Sequence, residues 1–261
     1  LSAANNVVLQ ANNDITVSNA ITANNGSGNG GNFTMQAGRS VLVNANITTD
    51  NGNLTLIAND LTSNGVVDAQ RDSGTAVITL ASGTTMNTGT GVFTSTIRAG
   101  TGKTNRTSGD ITLSNVTAGS LVATNSGPTS GSDILDNGVL TIAGTSSFTT
   151  SANNATIALD TTTNAFTGAV TITTNDNAGA DADVTIDGGT TALIVAASTI
   201  DGDLTLTSGA TAGITDSGTV TVLGDIYLIT DAGNGVIDMG TLAVTGSVDL
   251  ATHGSGDARL V

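Results

Sequence analysis

Six aspartates, Asp176, Asp181, Asp183, Asp187, Asp201 and Asp203, form the densest group of chemically able side chains in the sequence. Carboxylates at this spacing suit two tasks. They could share general acid and base work on a polysaccharide, or, as hard oxygen donors on Gly-rich turns, Asp176, Asp181, Asp183 and Asp187 could hold calcium. Acid–base cleavage also wants a cation to stabilise developing charge, and no Arg or Lys lies between Arg106 and Arg259. Calcium has its own signatures, the Gly-Gly-x-Gly-x-Asp nonapeptide and the EF-hand loop, and neither occurs. Asp at a corner, with its side chain bonded to turn backbone, accounts for the same residues without any ligand. The expectation is therefore no catalytic residues and no cofactor, with calcium at those four aspartates as the alternative.

Other side chains offer contacts rather than chemistry. His253 is the single histidine and there is no Cys, so neither a Ser-His-Asp triad nor a transition-metal site is expected. Tyr227 falls in an outward position between Thr205 and Asp249 on neighbouring repeats, which makes it a candidate contact for sugar or protein. Lys103 and Arg106 sit in a loop-like stretch and are candidate binding residues there. Asn32, Asn46, Asn53, Asn105, Asn115 and Asn154 each begin an Asn-x-Thr sequon, a candidate site of glycosylation.

Composition limits what could position these groups. Only 2% of the 261 residues are aromatic and 10% charged, with 34 Gly and one Pro, yet 38% are hydrophobic, enough to order the chain. All 21 acidic residues are Asp, and Asp, Asn, Gly, Ser and Thr favour turns over helices. Residues 1–130 hold six Asp against five basic residues, and 131–261 hold fifteen Asp against Arg259. That acidic second half, beside a near-neutral first, argues against a nucleic-acid partner. No run of 18 apolar residues is present, so no membrane helix is expected, and the start has no basic n-region followed by an apolar stretch. The chain reads as an internal piece or a mature product.

Repeats supply the architecture. Residues 204–225 and 226–247 match without a gap at eight positions, mostly Gly and aliphatic, and neither block has a core of its own. Stacked, they bury a continuous aliphatic column, as solenoids do. Eleven segments of the form aliphatic-Thr-aliphatic recur, beginning at Ile15, Phe33, Leu54, Ile78, Ile111, Leu140, Val170, Val184, Leu204, Ile226 and Val248. Their period-two pattern makes each a strand with aliphatics inward and the central residue outward. Most intervals lie near 20 to 22 residues and three near 30, which predicts about eleven rungs, some carrying excursions such as 99–108 and 125–132. Asn-Gly pairs would suit antiparallel hairpins, but a meander gives no reason for an ungapped repeat. The expected fold is all-β, a right-handed parallel β-helix spanning 1–261 as one segment. In the 204–247 pair, Leu204, Leu206, Ile214 and Val222 should stack on Ile226, Leu228, Val236 and Val244.

Gly202-Asp203-Leu204-Thr205-Leu206, Gly109-Asp110-Ile111-Thr112-Leu113 and Gly52-Asn53-Leu54-Thr55-Leu56 carry a resemblance to filamentous-haemagglutinin-like exoproteins, the secreted partners of bacterial two-partner secretion systems, and to high-molecular-weight adhesins. It covers nearly the whole chain. The resemblance implies a rod on a Gram-negative cell surface or outside the cell, with a glycan or protein of a host or neighbouring cell, or further copies of itself, as partner. It also implies glycosylation at some sequons; no membrane insertion is expected, since the chain has no long apolar run. The family's amino-terminal Asn-Pro-Asn-Gly signature does not occur, so a central segment is implied. A self-assembling filament is the first alternative and a β-helical polysaccharide-degrading enzyme the second.

Overall fold

The computed structural model describes residues 5–23, 30–175 and 181–261. Among these, regular structure is thirty short strands and two 3₁₀ turns, Thr62–Asn64 and Asp68–Gln70. The chain is a parallel β-solenoid. Its second sheet stacks ten strands, one per coil: Ile15–Val17, Val41–Val43, Ala76–Leu80, Ser108–Leu113, Ile134–Asp136, Ile157–Leu159, Val184–Asp187, Leu204–Ser208, Ile226–Gly233 and Val248–His253. The first sheet runs from Val7–Ala11 through Phe33–Ala37, Leu54–Ala58 and Val92–Ile97 to Val170–Thr173, and the third from Ile21–Thr22 to Ala165–Phe166. At Val170–Thr173 the first sheet takes two neighbours. Val170 pairs with Val195 and Thr173 with Thr199, and two columns of short strands continue from there.

Alternation makes the core. Ile111, Ile134, Ile157, Val184, Leu204 and Ile226 are paired in register from coil to coil, and each is at most 1% exposed. Side chains one residue away point outward, so a one-residue slip would bring polar groups into the column. Burying each such aliphatic contributes roughly 1.5–3 kcal/mol. All four Phe residues lie inside, Phe148 and Phe166 edge to face with ring centroids 6.0 Å apart. Coils approach closely at a corner lined by glycine. A Cβ on Gly91 would stand 2.5 Å from the carbonyl oxygen of Gly52, and one on Gly144 would stand 2.5 Å from that of Gly119.

Three expectations need correction. The eleven predicted strands are drawn from all three sheets: Leu140 lies on the third, Phe33, Leu54 and Val170 on the first. All faces share the aliphatic-Thr-aliphatic pattern, so the spacings mixed faces, and the rod has ten coils. Second, Ile214 pairs with Ile237, not Val236. The turn before Ile237 holds one more residue than its counterpart, and the next turn one fewer, so that Val220 regains its 22-residue partner Leu242. Third, Leu54 pairs with Phe93, a step of 39 residues that the sequence pattern had hidden.

Coil length varies mainly at one corner, between the first and second sheets. That corner is 12–14 in the first coil and 38–40 in the second, 59–75 in the third and 98–107 in the fourth. Second-sheet steps lengthen accordingly, from Val41 to Ile78 and from Ile78 to Ile111, while Leu204 to Ile226 takes only 22. The predicted excursion 125–132 uses the same corner but belongs to an ordinary coil, Ile111 to Ile134.

Candidate functional site

The segment 59–75 folds back as a flap over the first coil and reaches forward to the fourth. Asn59 starts it in the left-handed region, φ 52°, a conformation Asn tolerates. Its Nδ2 donates to the carbonyl oxygens of Arg98 (2.9 Å) and Arg106 (3.1 Å). Asn12 holds the middle: its Oδ1 accepts from the Val67 N–H at 2.9 Å and its Nδ2 donates to Gln70 Oε1 at 2.7 Å. Asp68 accepts from Thr104, side chain (2.7 Å) and backbone, and these bonds hold its carboxyl below the usual range. Val66, buried, covers Gly38, where a Cβ would come within 2.9 Å of its Cγ1.

Five of the six basic residues gather here. Arg39 grips Asp14 with two bonds, 2.8 and 2.7 Å, and donates to Ser73 O at the end of the flap. That guanidinium keeps the Asp14 carboxyl below its ordinary value. Arg98 Nε lies 3.0 Å from the fully buried Asp60. Arg71 Nε (2.6 Å) and Lys103 Nζ both donate to the carbonyl oxygen of Gly38, and Arg71 Nη2 donates to Asn59 Oδ1 at 3.2 Å. Burial, then the charge of Arg71, pushes the Lys103 ammonium down to about 8. Lys103, a loop candidate for binding, turns inward against Gly38 and is 7% exposed. Arg106 remains exposed beside it.

Between flap and rod lies a hollow of ≈150 Å³ lined by Gln10, Ala11, Asn12, Gln36, Asp60, Asn64, Gly65 and Val66. Gln10 and Gln36 stand on paired outward positions of the first sheet. Gln10 Nε2 donates to Gln36 Oε1 (2.7 Å) and to the Asn64 carbonyl (3.2 Å). Asp60 Oδ1 accepts from the Leu61 N–H (2.8 Å) and Asn64 Nδ2 (2.9 Å), and Asp60 Oδ2 is buried without a hydrogen bond among the described residues. Sequence reasoning missed this site because Leu54 to Ile78 passed for an ordinary rung. The signal available was the cluster of Arg39, Arg71, Arg98, Lys103 and Arg106 in an otherwise acidic chain.

Among the described residues the predicted acidic group is not brought together at one point. Asp183 immediately precedes the strand Val184–Asp187 and Asp187 ends it, on the order of 13 Å away along the extended backbone. Asp176 lies outside the described residues, and Asp181 is exposed. No group of three or more His, Cys, Asp or Glu could hold a metal among the described residues. Instead, Asp183 accepts the N–H of Asp203 (2.8 Å), Asp203 that of Asp225 (2.7 Å) and Asp225 that of Ser247 (2.6 Å), a ladder running from coil to coil. Asp187 bonds the N–H of Gly189 in its own turn, and burial raises its carboxyl pKa.

Asn builds the same ladder elsewhere. Asn32 accepts the N–H of Asn53, Asn53 that of Val92, Asn46 that of Thr85 and Asn115 that of Val139, at 2.9 to 3.0 Å. Four of the six sequon residues are thus corner acceptors through Oδ1. Asn105 lies in the 98–107 loop, and Asn154 is exposed with φ 55°. Tyr227 pairs with Thr205 below and Asp249 above, its hydroxyl 3.4 Å from Asp225, whose charge raises the phenol pKa. His253 is exposed, with Nδ1 2.6 Å from Thr230 O.

Ten in-register coils with one variable corner define a parallel β-solenoid built from sequence repeats. The chain belongs to the family described as repeats of unknown function (DUF5649), whose model matches residues 99–173 and 181–239. The flap lies outside both matched stretches. No curated protein and no solved structure matches the chain.

Proposed function

We propose that the chain is a non-enzymatic rod segment of a bacterial surface or secreted adhesin of the filamentous-haemagglutinin-like, two-partner-secretion type. It works outside the cell, holding a binding flap away from the surface. The observation that carries this reading is the uninterrupted ten-strand second sheet combined with the longest insertion, 59–75, at one corner. Stacked coils make a stiff body of roughly 45 Å at ~4.8 Å per coil, and insertions on one edge are where repeat proteins build contacts. The partner is a glycan or protein on a host or neighbouring cell.

Two measurements test it. Negative-stain images should show short monodisperse rods, and beads coated with the chain should adhere to cells through the flap, losing adhesion when 60–74 is replaced by a short Gly-Ser turn. Adhesion undiminished by that replacement overturns the role of the flap, and measurable glycan cleavage overturns the non-enzymatic reading.

A second reading is a self-assembling filament. It accords with coils that stack by strand pairing along one axis, a geometry that further copies could continue. Concentration-dependent fibres in the same images would favour this reading over the stalk.

A further inference from the structure

We propose that the hollow under the flap is a binding site for one neutral sugar residue of a glycan chain. This rests on the reading of the rod as adhesive and names the ligand chemistry of its flap. Size is the first argument. At ≈150 Å³ the hollow is about five waters in volume, counting ~30 Å³ for each. That suits a single ring and is below the ~300 Å³ at which pockets for larger ligands begin.

Lining chemistry is the second. Each carboxamide offers both donors and acceptors, and Gln10 Oε1, Gln36 Nε2 and Asn64 Oδ1 have no hydrogen bond to another described residue. Adjacent sugar hydroxyls need such mixed partners. Asp60 also lines the hollow, its Oδ1 already accepting from the Leu61 N–H and from Asn64 Nδ2.

Other ligand classes fit less well. A divalent cation would find one carboxylate, already beside Arg98, with Arg71 and Lys103 in the same cluster. An anion would meet Asp60. A flat aromatic ligand would find no ring to stack on, since none lines the hollow. Gly65, at the lip, is exposed and has open space where a Cβ would stand, leaving room for the rest of a glycan to leave the site.

The test is saturation-transfer NMR on the 261-residue chain with free neutral hexoses and N-acetylhexosamines as probes. At least one probe should bind, and the near-isosteric double variant Gln10→Met, Gln36→Met should weaken it by about tenfold or more. Thr205→Ala, on the second sheet, should leave it unchanged. A titration of the unaltered protein gives a readout independent of variant folding: the side-chain amide signals of Gln10, Gln36 and Asn64 should move. Binding that survives the double variant, or shifts centred elsewhere, overturns the site and leaves the adhesive rod standing. Absence of binding by every probe also overturns the site; if the beads nevertheless adhere through the flap, the adhesive reading survives, and if they do not, both fall.

Discussion

The first four coils and the last four obey one stacking rule but spend their polar residues differently. In the last four, steps of 20 to 23 residues leave little to hold at the corners, and single carboxylates, Asp183, Asp203 and Asp225, pass a hydrogen bond from each coil to the next. In the first four, the corner swells to 59–75 and 98–107, and Asn59, Asp60, Arg39, Arg71 and Lys103 knit these segments to backbone carbonyls and to one another. Register survives the insertions. Thr34 pairs with Thr55 and Thr55 with Thr94 as though the flap were absent. The inner columns set the coil, so length added at one corner is free to do something else.

If the shared stack governs both regions, the largest effect should come from breaking it. Gly91→Val puts a branched side chain where a Cβ already meets Gly52 O at 2.5 Å and Asn51 O at 2.9 Å, both of them backbone atoms. It should cost ~3 kcal/mol or more, or prevent folding, as read by denaturant unfolding. A near-neutral result would mean that coils can slide apart at that corner.

Next in size is the flap. Arg71→Ala removes the bond to Gly38 O and the bond to Asn59, leaving Lys103 alone on that carbonyl. Loss of about 2 kcal/mol is expected, seen as faster proteolysis within 59–75 rather than as loss of the whole fold. Arg259→Ala in the last coil breaks a pair whose side chains are 64% and 43% exposed, and should change stability by less than ~0.5 kcal/mol.

Legibility in the sequence followed the same divide. The 22-residue step from Leu204 to Ile226, the inward places of Leu204, Leu206, Ile226 and Leu228 and the outward place of Tyr227 could be read from period-two alternation, whereas the extra turn residue before Ile237 could not. The first four could not be parsed so well. Three faces with one pattern make Leu54 and Ile78 look like successive rungs, although they lie on different sheets of one coil. The hollow depends on Gln10 meeting Asn64 across 54 positions, a contact that exists only once the flap has turned back. The ladder was half legible. Asp at corners was expected, but its acceptor role toward the next coil needs the stack in view.

Lys103 separates the regions by pH. Its ammonium titrates near 8 in the folded chain and near 10.5 when unfolded. Between those values the unfolded state holds more protons, so stability should rise as pH climbs from about 8 to 10.5; below 8 both states are protonated and the penalty is constant. Lys103→Met should remove that slope and raise stability at pH 7, measured by unfolding at a series of pH values. A slope that persists in the variant would place the titrating group elsewhere.

The smallest effect tests why one region uses Asn and the other Asp for the same task. Asp203→Asn keeps the Oδ1 that accepts the Asp225 N–H, and Asn32 already does this job for Asn53, so unfolding should shift by less than ~0.5 kcal/mol. Asp203→Ala removes the acceptor and should cost about 1 kcal/mol. Charge then distinguishes the ladders by their acid limb. The bond from Ser247 holds the Asp225 carboxyl below its ordinary value of 3.8, so its contribution is present above that pH and fades as pH falls through the lower, folded value. Asp225→Asn should flatten that limb and lower neutral stability by no more than the height of the limb, because the amide oxygen still accepts the Ser247 N–H. If it lowers neutral stability as much as Ala does, the carboxylate charge itself strengthens the bond, and the Asp and Asn ladders are not equivalent parts.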